Sequence, residues 1–303
     1  MSIPNLRRRL GWPIILAMTK TLLCFGHGYC ARALARLLLP QGMRIIGTTR
    51  DRQKMNALRA DGISPLLWPG SDIQQALQQA THLLVSIAPN GLGDPVLNEL
   101  SAAIAGAAPF EWTGYLSTTG VYGDHQGGWV DETTPLTPTT RRGQYRVAAE
   151  SQWHKLAQKR SLNLHIFRLA GIYGPARGPL AKVQNGTARR IIKPGQVFSR
   201  IHIDDIAQVL AASIARPNSG AIYNVCDDAP APPQDVLAYA AELLNKPIPP
   251  AEDWHSADMT PMARSFYADS KRVANDRIKS ELGVNLKFPD YKTGLNSLLN
   301  QNI

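Results

Sequence analysis

The alternation of strand-like and helix-like segments through the first half of the chain is the feature that most constrains its fold. Short apolar runs predict buried strands, and the helical runs between them end at residues such as Pro40 and Gly62. The predicted strands are TLLCF, MRIIGTTR, ISPLLW, HLLVSIAP and WTGYLST, and the predicted helices are ARALARLLLP, DRQKMNALRADG and DIQQALQQA. This rhythm predicts an α/β fold, a doubly wound parallel sheet with helices on both faces.

Composition narrows the range of partners and compartments. The 303 residues carry a net charge of +10, but the basic residues are scattered, and neither a helix-turn-helix nor a zinc-finger spacing occurs. We therefore expect no nucleic-acid partner, and no apolar stretch is long enough to predict a membrane span. The three cysteines show no paired spacing and the seven histidines lie apart, which indicates no disulfide framework and no metal site. A reducing, cytoplasmic compartment fits this cysteine usage.

Two glycines lie between the first predicted strand and the first predicted helix. The segment GHGYCA, residues 26–31, fits the pattern G-x-G-x-x-G/A. In that pattern the first glycine allows a tight turn, the second lets a diphosphate approach the backbone, and the dipole of the helix favours the negative charge. This position favours a dinucleotide site over a turn in which glycines serve geometry alone. The predicted contacts are Gly26, Gly28, Tyr29 and Cys30.

The end of the second predicted strand bears on which dinucleotide binds. An acidic residue there would bind the ribose 2′-hydroxyl of NAD, whereas an arginine accommodates the 2′-phosphate of NADP. Because Arg50 follows the strand and Asp51 comes one residue later, we expect NADP, with NAD as the alternative. These charges, with Arg52, could also be solvated residues at the start of a helix. Ser86 and Ala88, at the end of the fourth strand, are also expected to contact the cofactor.

The same patterns divide the chain into three parts. Residues 1–18 combine arginines with a short apolar run but have no small-residue cleavage site, so we expect a flexible extension and not a signal peptide. Residues 19–176 are predicted to form a Rossmann dinucleotide-binding domain. After YGPARGP the rhythm breaks, and residues 177–303 are expected to form a smaller substrate-binding lobe, with AIYNVCD as a late strand that returns to the sheet.

Four further segments resemble the extended short-chain dehydrogenase/reductase superfamily, within it the NAD(P)-dependent epimerase/dehydratase group. They are STTGVYG (117–123), RLAGIYGP (168–175), IHIDDIA (201–207) and ELGVNLKFPDYKTGL (281–295), in the order in which that group has them. The resemblance implies a Rossmann fold with the cofactor across the sheet and hydride transfer at a carbinol carbon. It also implies a Ser/Thr, Tyr and Lys set, in which the lysine lowers the pKa of the tyrosine that acts as general acid/base.

The catalytic set departs from that pattern. Thr118 fills the Ser/Thr position, and if Glu150 matches the glutamate of the helix, Arg146 stands where the lysine should be and Arg142 where the tyrosine should be. Tyr145 is one residue out of register. An arginine can hold positive charge beside the nicotinamide ribose, but it does not release its proton at neutral pH. The candidate catalytic residues are therefore Thr118, Tyr145 and Arg146.

Each of these candidates also has a structural interpretation. The spacing of apolar residues predicts a further helix over residues 143–160, and Tyr145 belongs to its apolar stripe, where packing is the role that the periodicity favours. Arg146 and Glu150 could form an exposed i, i+4 pair worth a few tenths of a kcal/mol, on the order of 0.3. Thr118 could be an ordinary strand residue. If the chain is an enzyme, the acid/base would be Tyr145, Tyr122 or a water molecule.

A basic stretch follows residue 176, where the resembling group closes on its substrate. Arg177 and Arg200, at the two ends of this stretch, are predicted to contact an anionic substrate such as a nucleotide-linked sugar, although a solvated face is the alternative. We expect His202 and Asp205 to hold the interface of the lobe and not to take part in chemistry.

Two functions remain open from the sequence. The first is an NAD(P)-dependent oxidoreductase or epimerase with an altered catalytic set and a small-molecule substrate. The second is a non-catalytic NADP(H)-binding redox sensor or partner-binding module, suggested by the missing tyrosine and lysine. The resemblance also suggests a homodimer paired through helices of the sheet.

Overall fold

A seven-stranded parallel sheet lies at the centre of the computed structural model, which describes residues 20–107 and 109–299. The strands are β1 Thr21–Phe25, β2 Arg44–Thr49, β3 Ser64–Leu67, β4 His82–Val85, β5 Trp112–Thr118, β6 Trp129–Val130, β7 Leu164–Leu169, β8 Gly171–Tyr173, β9 Arg190–Ile192, β10 Arg200–His202, β11 Ile222–Val225, β12 Ala251–Asp253 and β13 Arg272–Val273. The order in the sheet is β3-β2-β1-β4-β5-β7-β11, and the remaining strands form three two-stranded parallel pairs. The predicted extension, residues 1–18, lies outside the described residues.

Helices cover both faces of the sheet, as the alternation predicts. They are α1 Tyr29–Leu38, α2 Lys54–Ala60, α3 Gln74–Gln79, α4 Pro95–Gly106, α5 Arg141–Arg160, α6 Pro179–Gln184, α7 Ile203–Ala215, α8 Pro233–Leu243, α9 Pro261–Phe266, α10 Asp276–Ser280 and α11 Tyr291–Leu299. One apolar core joins α1 and α7 to one face of the sheet, and a second core joins α3, α4 and α5 to the other face. A third, smaller core joins α6, α8 and α11.

The observed order is that of a Rossmann fold, so the predicted fold class is confirmed. All five strands predicted in the first half are present, and the late strand AIYNVCD forms β11 at the edge of the main sheet beside β7. The boundary proposed at residue 176 stays a prediction. No helix within residues 20–107 and 109–299 has the length and apolar character needed to cross a bilayer.

Helix α4 is an element of the first half of the chain that the sequence analysis did not predict. The buried Asp94 caps it, because one carboxylate oxygen accepts from the N–H groups of Val96 and Leu97 at 2.9 and 3.0 Å. Its other carboxylate oxygen accepts from the indole of Trp153 on α5 at 3.2 Å. This cap therefore fixes both the start of α4 and its packing against α5.

Candidate cofactor and catalytic site

The glycine loop folds as a tight turn between β1 and α1. Gly26 has a φ of +83°, and a Cβ there would stand 2.9 Å from Cγ1 of Ile87, so a larger residue would meet both backbone strain and a collision. The Gly26 N–H donates to the Thr48 hydroxyl at 2.8 Å, and the Ser86 hydroxyl donates to the Gly26 carbonyl. The first glycine is thus held by the ends of β2 and β4.

The start of α1 is open in the way that a diphosphate requires. Gly28 is its N-cap residue, and within residues 20–107 and 109–299 no side chain accepts a hydrogen bond from the first N–H groups of the helix. A Cβ at Gly28 would meet only the Gly26 carbonyl oxygen, at 3.9 Å, so the space above the helix start is open. Free N–H groups and the positive end of the helix dipole favour a phosphate there. The residues present therefore fit a dinucleotide cofactor.

Tyr29 connects this loop to the segment after β8. Its hydroxyl donates to the Pro175 carbonyl at 3.0 Å, and the guanidinium carbon of Arg177 lies 5.3 Å from the centre of its ring. Arg177, predicted to contact substrate, is therefore placed beside the cofactor loop. Cys30 is buried, and burial raises the pKa of its thiol to about 11, so Cys30 offers its backbone N–H and not a thiolate.

The other predicted cofactor contacts lie along the same edge of the sheet. Arg50 is exposed directly after β2, and Asp51 caps the turn that follows by accepting from the Gln53 N–H at 2.9 Å. Ser86 lies directly after β4, where its hydroxyl reaches the Gly26 carbonyl. Ala88 is exposed in the loop that follows. These residues surround the glycine loop on the side of β2 and on the side of β4.

Thr118 ends β5, the strand next to β4. Its hydroxyl oxygen accepts from the Gly120 N–H at 3.2 Å and so begins the 3-10 turn Thr119–Tyr122. Arg146, on α5, donates from Nη1 to the Leu116 carbonyl at 2.6 Å and to the Tyr115 hydroxyl at 3.1 Å. The structure therefore fixes a guanidinium to the same strand that ends in Thr118.

Arg142 and Tyr145 both lie at the start of α5 but contact different segments. Nη2 of Arg142 donates to the Ser265 hydroxyl at 2.9 Å, and its guanidinium carbon lies 4.5 Å from the centre of the Phe266 ring, both on α9. Tyr145 lies against the loop after β4, because a Cβ at Gly91 would stand 3.2 Å from its hydroxyl oxygen. The position that the resemblance predicts for the group's tyrosine, counted back from Glu150, thus carries an arginine that contacts α9.

The position of Glu150 contradicts the exposed i, i+4 pair with Arg146 that the sequence analysis offered as one interpretation. It is buried, not exposed, and its partner is Arg168 on β7 and not Arg146, with Oε2 accepting from Nη2 at 2.8 Å. A helix position that faces the sheet cannot form a solvated i, i+4 pair. The Ser117 hydroxyl also donates to this carboxylate, which ties β5, α5 and β7 together one residue before Thr118.

Tyr122 belongs to the same buried network. Its hydroxyl accepts from Nη1 of Arg168 at 3.0 Å and donates to Oδ1 of Asn224 at 2.7 Å. Burial raises its pKa to about 12, against the effect of Arg168. A fully engaged, buried phenol does not reach a substrate, so Tyr122 is not available as the acid/base. Arginine within an otherwise apolar strand was the sequence signal for this network, and it was overlooked.

Arg200, the second predicted substrate contact, is buried on β10, so it does not belong to a solvated face. Its Nη1 donates to the carbonyls of Phe198 and Ala231 at 2.9 and 3.0 Å. Burial lowers its pKa, and the charge of nearby Asp227 opposes that effect. Burial in turn raises the pKa of Asp227 to about 8, against the effect of Arg200. No contact joins Arg200 to Arg177 in the described part of the chain.

His202 and Asp205 have structural contacts, as predicted. The Asp205 carboxylate accepts from the backbone N–H groups of Lys287 and Phe288 at 2.7 and 3.1 Å. The His202 ring lies 4.2 Å from the Phe288 ring, centre to centre. Both residues therefore hold the closing segment of the chain against α7. Residues 20–107 and 109–299 contain no group of three or more His, Cys, Asp and Glu side chains that could hold a metal ion.

The sheet order, the glycine loop and the open helix start define a protein of the NAD(P)-binding Rossmann class. A model of the NAD dependent epimerase/dehydratase family matches residues 100–226. A functionally unknown protein from Silicibacter pomeroyi DSS is 64% identical, with a TM-score of 0.89 over 93% of this chain and 99% of that one. The chain belongs to the NAD-dependent epimerase/dehydratase family.

More distant solved structures share the fold. UDP-glucuronic acid 4-epimerase from Bacillus cereus, in complex with NAD, is 16% identical, with a TM-score of 0.75 over 93% of this chain and 96% of that one. MoeE5, in complex with UDP-glucuronic acid and NAD, is 16% identical, with a TM-score of 0.74 over 94% of this chain and the whole of that one. No curated protein matches the chain.

Proposed function

We propose that this protein is an NADP-preferring oxidoreductase or epimerase that acts on a hydroxyl or carbonyl group of an anionic substrate. The observation that carries the proposal is the meeting of three features at one edge of the sheet. These are the open start of α1 behind Gly28, the Thr118 hydroxyl at the end of β5, and the Arg146 guanidinium fixed to that strand. A bound NADP would supply the hydride acceptor or donor.

The side chains of this edge support specific roles. Thr118 would orient the substrate oxygen, because its hydroxyl stands at the strand end that faces the cofactor crevice of this fold. Arg146 would supply positive charge beside the nicotinamide ribose without moving a proton. With Tyr122 engaged in the buried network, the proton of the reacting oxygen would pass to Tyr145 or to a water molecule.

The preference for NADP rests on the end of β2. Arg50 is exposed there, and the carboxylate of Asp51 is already used in the turn that begins the next segment. An exposed guanidinium at this place suits a 2′-phosphate, whereas a free carboxylate would be needed for the 2′-hydroxyl of NAD.

The proposal of an anionic substrate is based on residues in the later part of the chain. Nζ of Lys193 and Cζ of Arg264 lie 4.9 and 5.0 Å from the centre of the Trp254 ring, and Phe266, on the same helix as Arg264, is exposed. Basic and aromatic side chains together suit a phosphorylated, ring-containing substrate. The nucleotide-linked sugars bound by the distant structural relatives have this chemistry.

Calorimetry with NADPH and NADH tests the cofactor assignment. We expect NADPH to bind more tightly than NADH. Arg50→Ala should weaken the binding of NADPH at least about tenfold, the effect of one charged hydrogen bond, while the affinity for NADH changes little. Arg59→Ala, an exposed arginine on α2, is the matched control. Equal affinity of the unaltered protein for the two cofactors would contradict the NADP preference.

A measurement of turnover distinguishes the enzyme from a non-catalytic NADP(H)-binding sensor. The non-catalytic sensor is favoured by one observation, that Arg142 and Arg146 stand in the tyrosine and lysine positions and are both already engaged. Either consumption of NADPH with a panel of carbonyl compounds or formation of an epimer from a nucleotide sugar in the presence of NADP, reduced at least about tenfold in Thr118→Val with unchanged cofactor affinity, supports the enzyme. An epimerase returns the hydride to its substrate and therefore consumes no cofactor. Cofactor binding without any turnover supports the sensor.

A cytoplasmic location and a homodimer stay predictions. Cys24, Cys30 and Cys226 are all free and buried, which is compatible with a reducing compartment. The exposed positions of α4 carry small or polar residues, among them Asn98, Glu99 and Ser101. Sedimentation would test a dimer paired through this helix.

A further inference from the structure

Arg142, at the start of α5, is an exposed cation that keeps most of its donors free. A guanidinium has five N–H donors, and within the described residues Arg142 uses one of them, from Nη2 to the Ser265 hydroxyl at 2.9 Å. Its guanidinium carbon also lies 4.5 Å from the centre of the Phe266 ring. The side chain is therefore held in place by α9 while its remaining N–H groups stay available.

The chain supplies no anion to this guanidinium. No carboxylate within residues 20–107 and 109–299 pairs with Arg142. Asp269, which follows α9, accepts from the Thr139 hydroxyl and lies 3.3 Å from the ammonium of Lys271. Glu150, on the same helix, is buried and paired with Arg168. Arg142 therefore remains a positive charge that an anion from outside the chain can neutralise.

Packing places this charge beside the strand end that carries Thr118. Gly143, the next residue, is buried against the turn that follows β5, where a Cβ at position 143 would stand 2.8 Å from the Gly120 carbonyl oxygen. The Gly120 N–H in turn donates to the Thr118 hydroxyl oxygen at 3.2 Å. Because position 143 is a glycine, the first turn of α5 lies directly against the turn that Thr118 begins.

Tyr145 belongs to the same first turn of α5. It follows Arg142 by three residues, so the two side chains are neighbours on the helix surface. The Tyr145 hydroxyl faces the loop after β4, where a Cβ at Gly91 would stand 3.2 Å from it, whereas Arg142 faces α9. A substrate whose oxygen is bound by Thr118 would therefore have both the phenol and the guanidinium beside it.

We propose that Arg142 binds a carboxylate that the substrate carries close to its reacting carbon, so that the substrate is a hydroxy acid or an oxo acid, sugar acids included. A carboxylate has one charge and two coplanar acceptor oxygens, which match the free edge of a single guanidinium. One arginine neutralises a phosphate dianion only in part. The inference rests on the proposed function and adds the kind of anion and the residue that binds it.

The proposal also gives a use to the position at which the chain departs from its family. An arginine does not release its proton at neutral pH, so Arg142 cannot do the work of the tyrosine that the resemblance predicts there. Binding an anion is the chemistry that a guanidinium offers in its place. With the carboxylate held by Arg142 and the reacting oxygen held by Thr118, the substrate is fixed at two points.

Calorimetry on the full chain, with and without NADP, tests this inference with matched pairs of ligands. The pairs are UDP-glucuronic acid with UDP-glucose, glucuronate with glucuronamide, and benzoate with benzamide, and inorganic phosphate is a further probe. We expect the acid of at least one pair to bind about tenfold or more tightly than its neutral partner, the effect of a hydrogen bond between charged groups.

Three variants assign that preference to one residue. Arg142→Gln should abolish the preference for the acid, and Arg142→Lys, which keeps the charge but not the planar fork, should retain part of it. Arg141→Gln, which removes the exposed arginine next to it, is the matched control and should leave the preference unchanged. Thermal unfolding checks that each variant folds, and Arg142→Lys covers the case in which Arg142→Gln does not.

The outcomes separate this inference from the function on which it rests. The inference is overturned if no pair shows a preference for the acid, if the preference survives in Arg142→Gln, if Arg141→Gln removes it equally, or if phosphate alone depends on Arg142. The proposed function fails on different results, namely if the unaltered protein does not bind NADP or shows no turnover that depends on Thr118. Acid binding that depends on Arg142 without any turnover would uphold the inference and favour the sensor.

Discussion

Two neighbouring parts of the same edge of the sheet, here called the cofactor edge and the catalytic edge, are built by different means. The cofactor edge, residues 26–31 with the end of β2, consists mainly of backbone: a glycine with positive φ, an uncapped helix start and a carbonyl held by Ser86. The proposed catalytic edge, Thr118 with Arg142 and Arg146 of α5, consists of side chains. Thr118 fits the Ser/Thr position of the family's pattern, whereas the two arginines differ from it. Backbone geometry keeps its function when side chains change, whereas proton transfer depends on the identity of each side chain.

A buried network supports the catalytic edge even where the reacting residues have changed. Glu150 and Arg168 link α5 to β7, and Ser117 joins them from β5. This network positions the strand end that carries Thr118 without touching it. The scaffold of the catalytic edge is therefore retained independently of the tyrosine and lysine that the family uses there.

The largest effect is expected from Glu150→Gln, which leaves the Arg168 guanidinium buried without its carboxylate. Breaking a buried pair in this way should lower the free energy of unfolding by about 3–5 kcal/mol in a denaturant titration. Glu281→Gln, in the partly exposed pair with Arg277, should cost less than about 1 kcal/mol. Equal losses in the two variants would mean that the network does not support the catalytic edge.

The cofactor edge is tested by Gly26→Ala against Gly42→Ala. Both glycines have φ near +80°, but a Cβ meets Ile87 at Gly26 and nothing within 4 Å at Gly42. The shared backbone strain costs about 1–2 kcal/mol, and the collision should add about 1–3 kcal/mol at Gly26 alone.

Cofactor binding gives the second readout for that pair of variants. Calorimetry should detect no NADPH binding to Gly26→Ala and unchanged binding to Gly42→Ala. If Gly26→Ala binds the cofactor normally, backbone geometry does not define this edge.

The pH dependence of stability can be compared at two buried histidines, His27 at the cofactor edge and His165 on β7. Burial lowers the pKa of each to about 4. Between about pH 6.5 and 4, each histidine is therefore protonated in the unfolded chain and neutral in the folded chain. The free energy of unfolding therefore has its full value above pH 6.5 and decreases as the pH falls, by up to about 1.4 kcal/mol per pH unit for each histidine.

Replacing either histidine by glutamine should reduce that slope, as measured by denaturant titrations at pH 6.5, 5.5 and 4.5. An unchanged slope in both variants would contradict the assignment of the acid sensitivity to these two buried rings.

The smallest effect is expected from Arg142→Ala. Its guanidinium is exposed and contacts Phe266 and Ser265 on α9, an arrangement worth about 0.5–1 kcal/mol. Thermal unfolding should therefore shift only slightly. A loss as large as that of Glu150→Gln would show that the position of the family's tyrosine has become part of the scaffold.

Periodicity and local motifs were sufficient for most of the fold. The strands β1 to β5 follow from short apolar runs, and the glycine loop follows from its spacing between β1 and α1. Helix α4 was missed because its start depends on Asp94, whose carboxylate is shared between its own backbone and Trp153 far along the chain. The substrate contact of Arg177 stays a prediction, and the structure places this residue beside Tyr29 at the glycine loop.

The sequence by itself determined the order of strands and helices and the place of the dinucleotide loop, because both depend on near neighbours in the chain. Only the tertiary structure decided which charges are buried, since burial depends on residues brought together from distant segments. It paired Glu150 with Arg168, enclosed Arg200, and left His27 without a partner against Gly47. Which groups are buried depends on packing, and packing is a property of the folded chain.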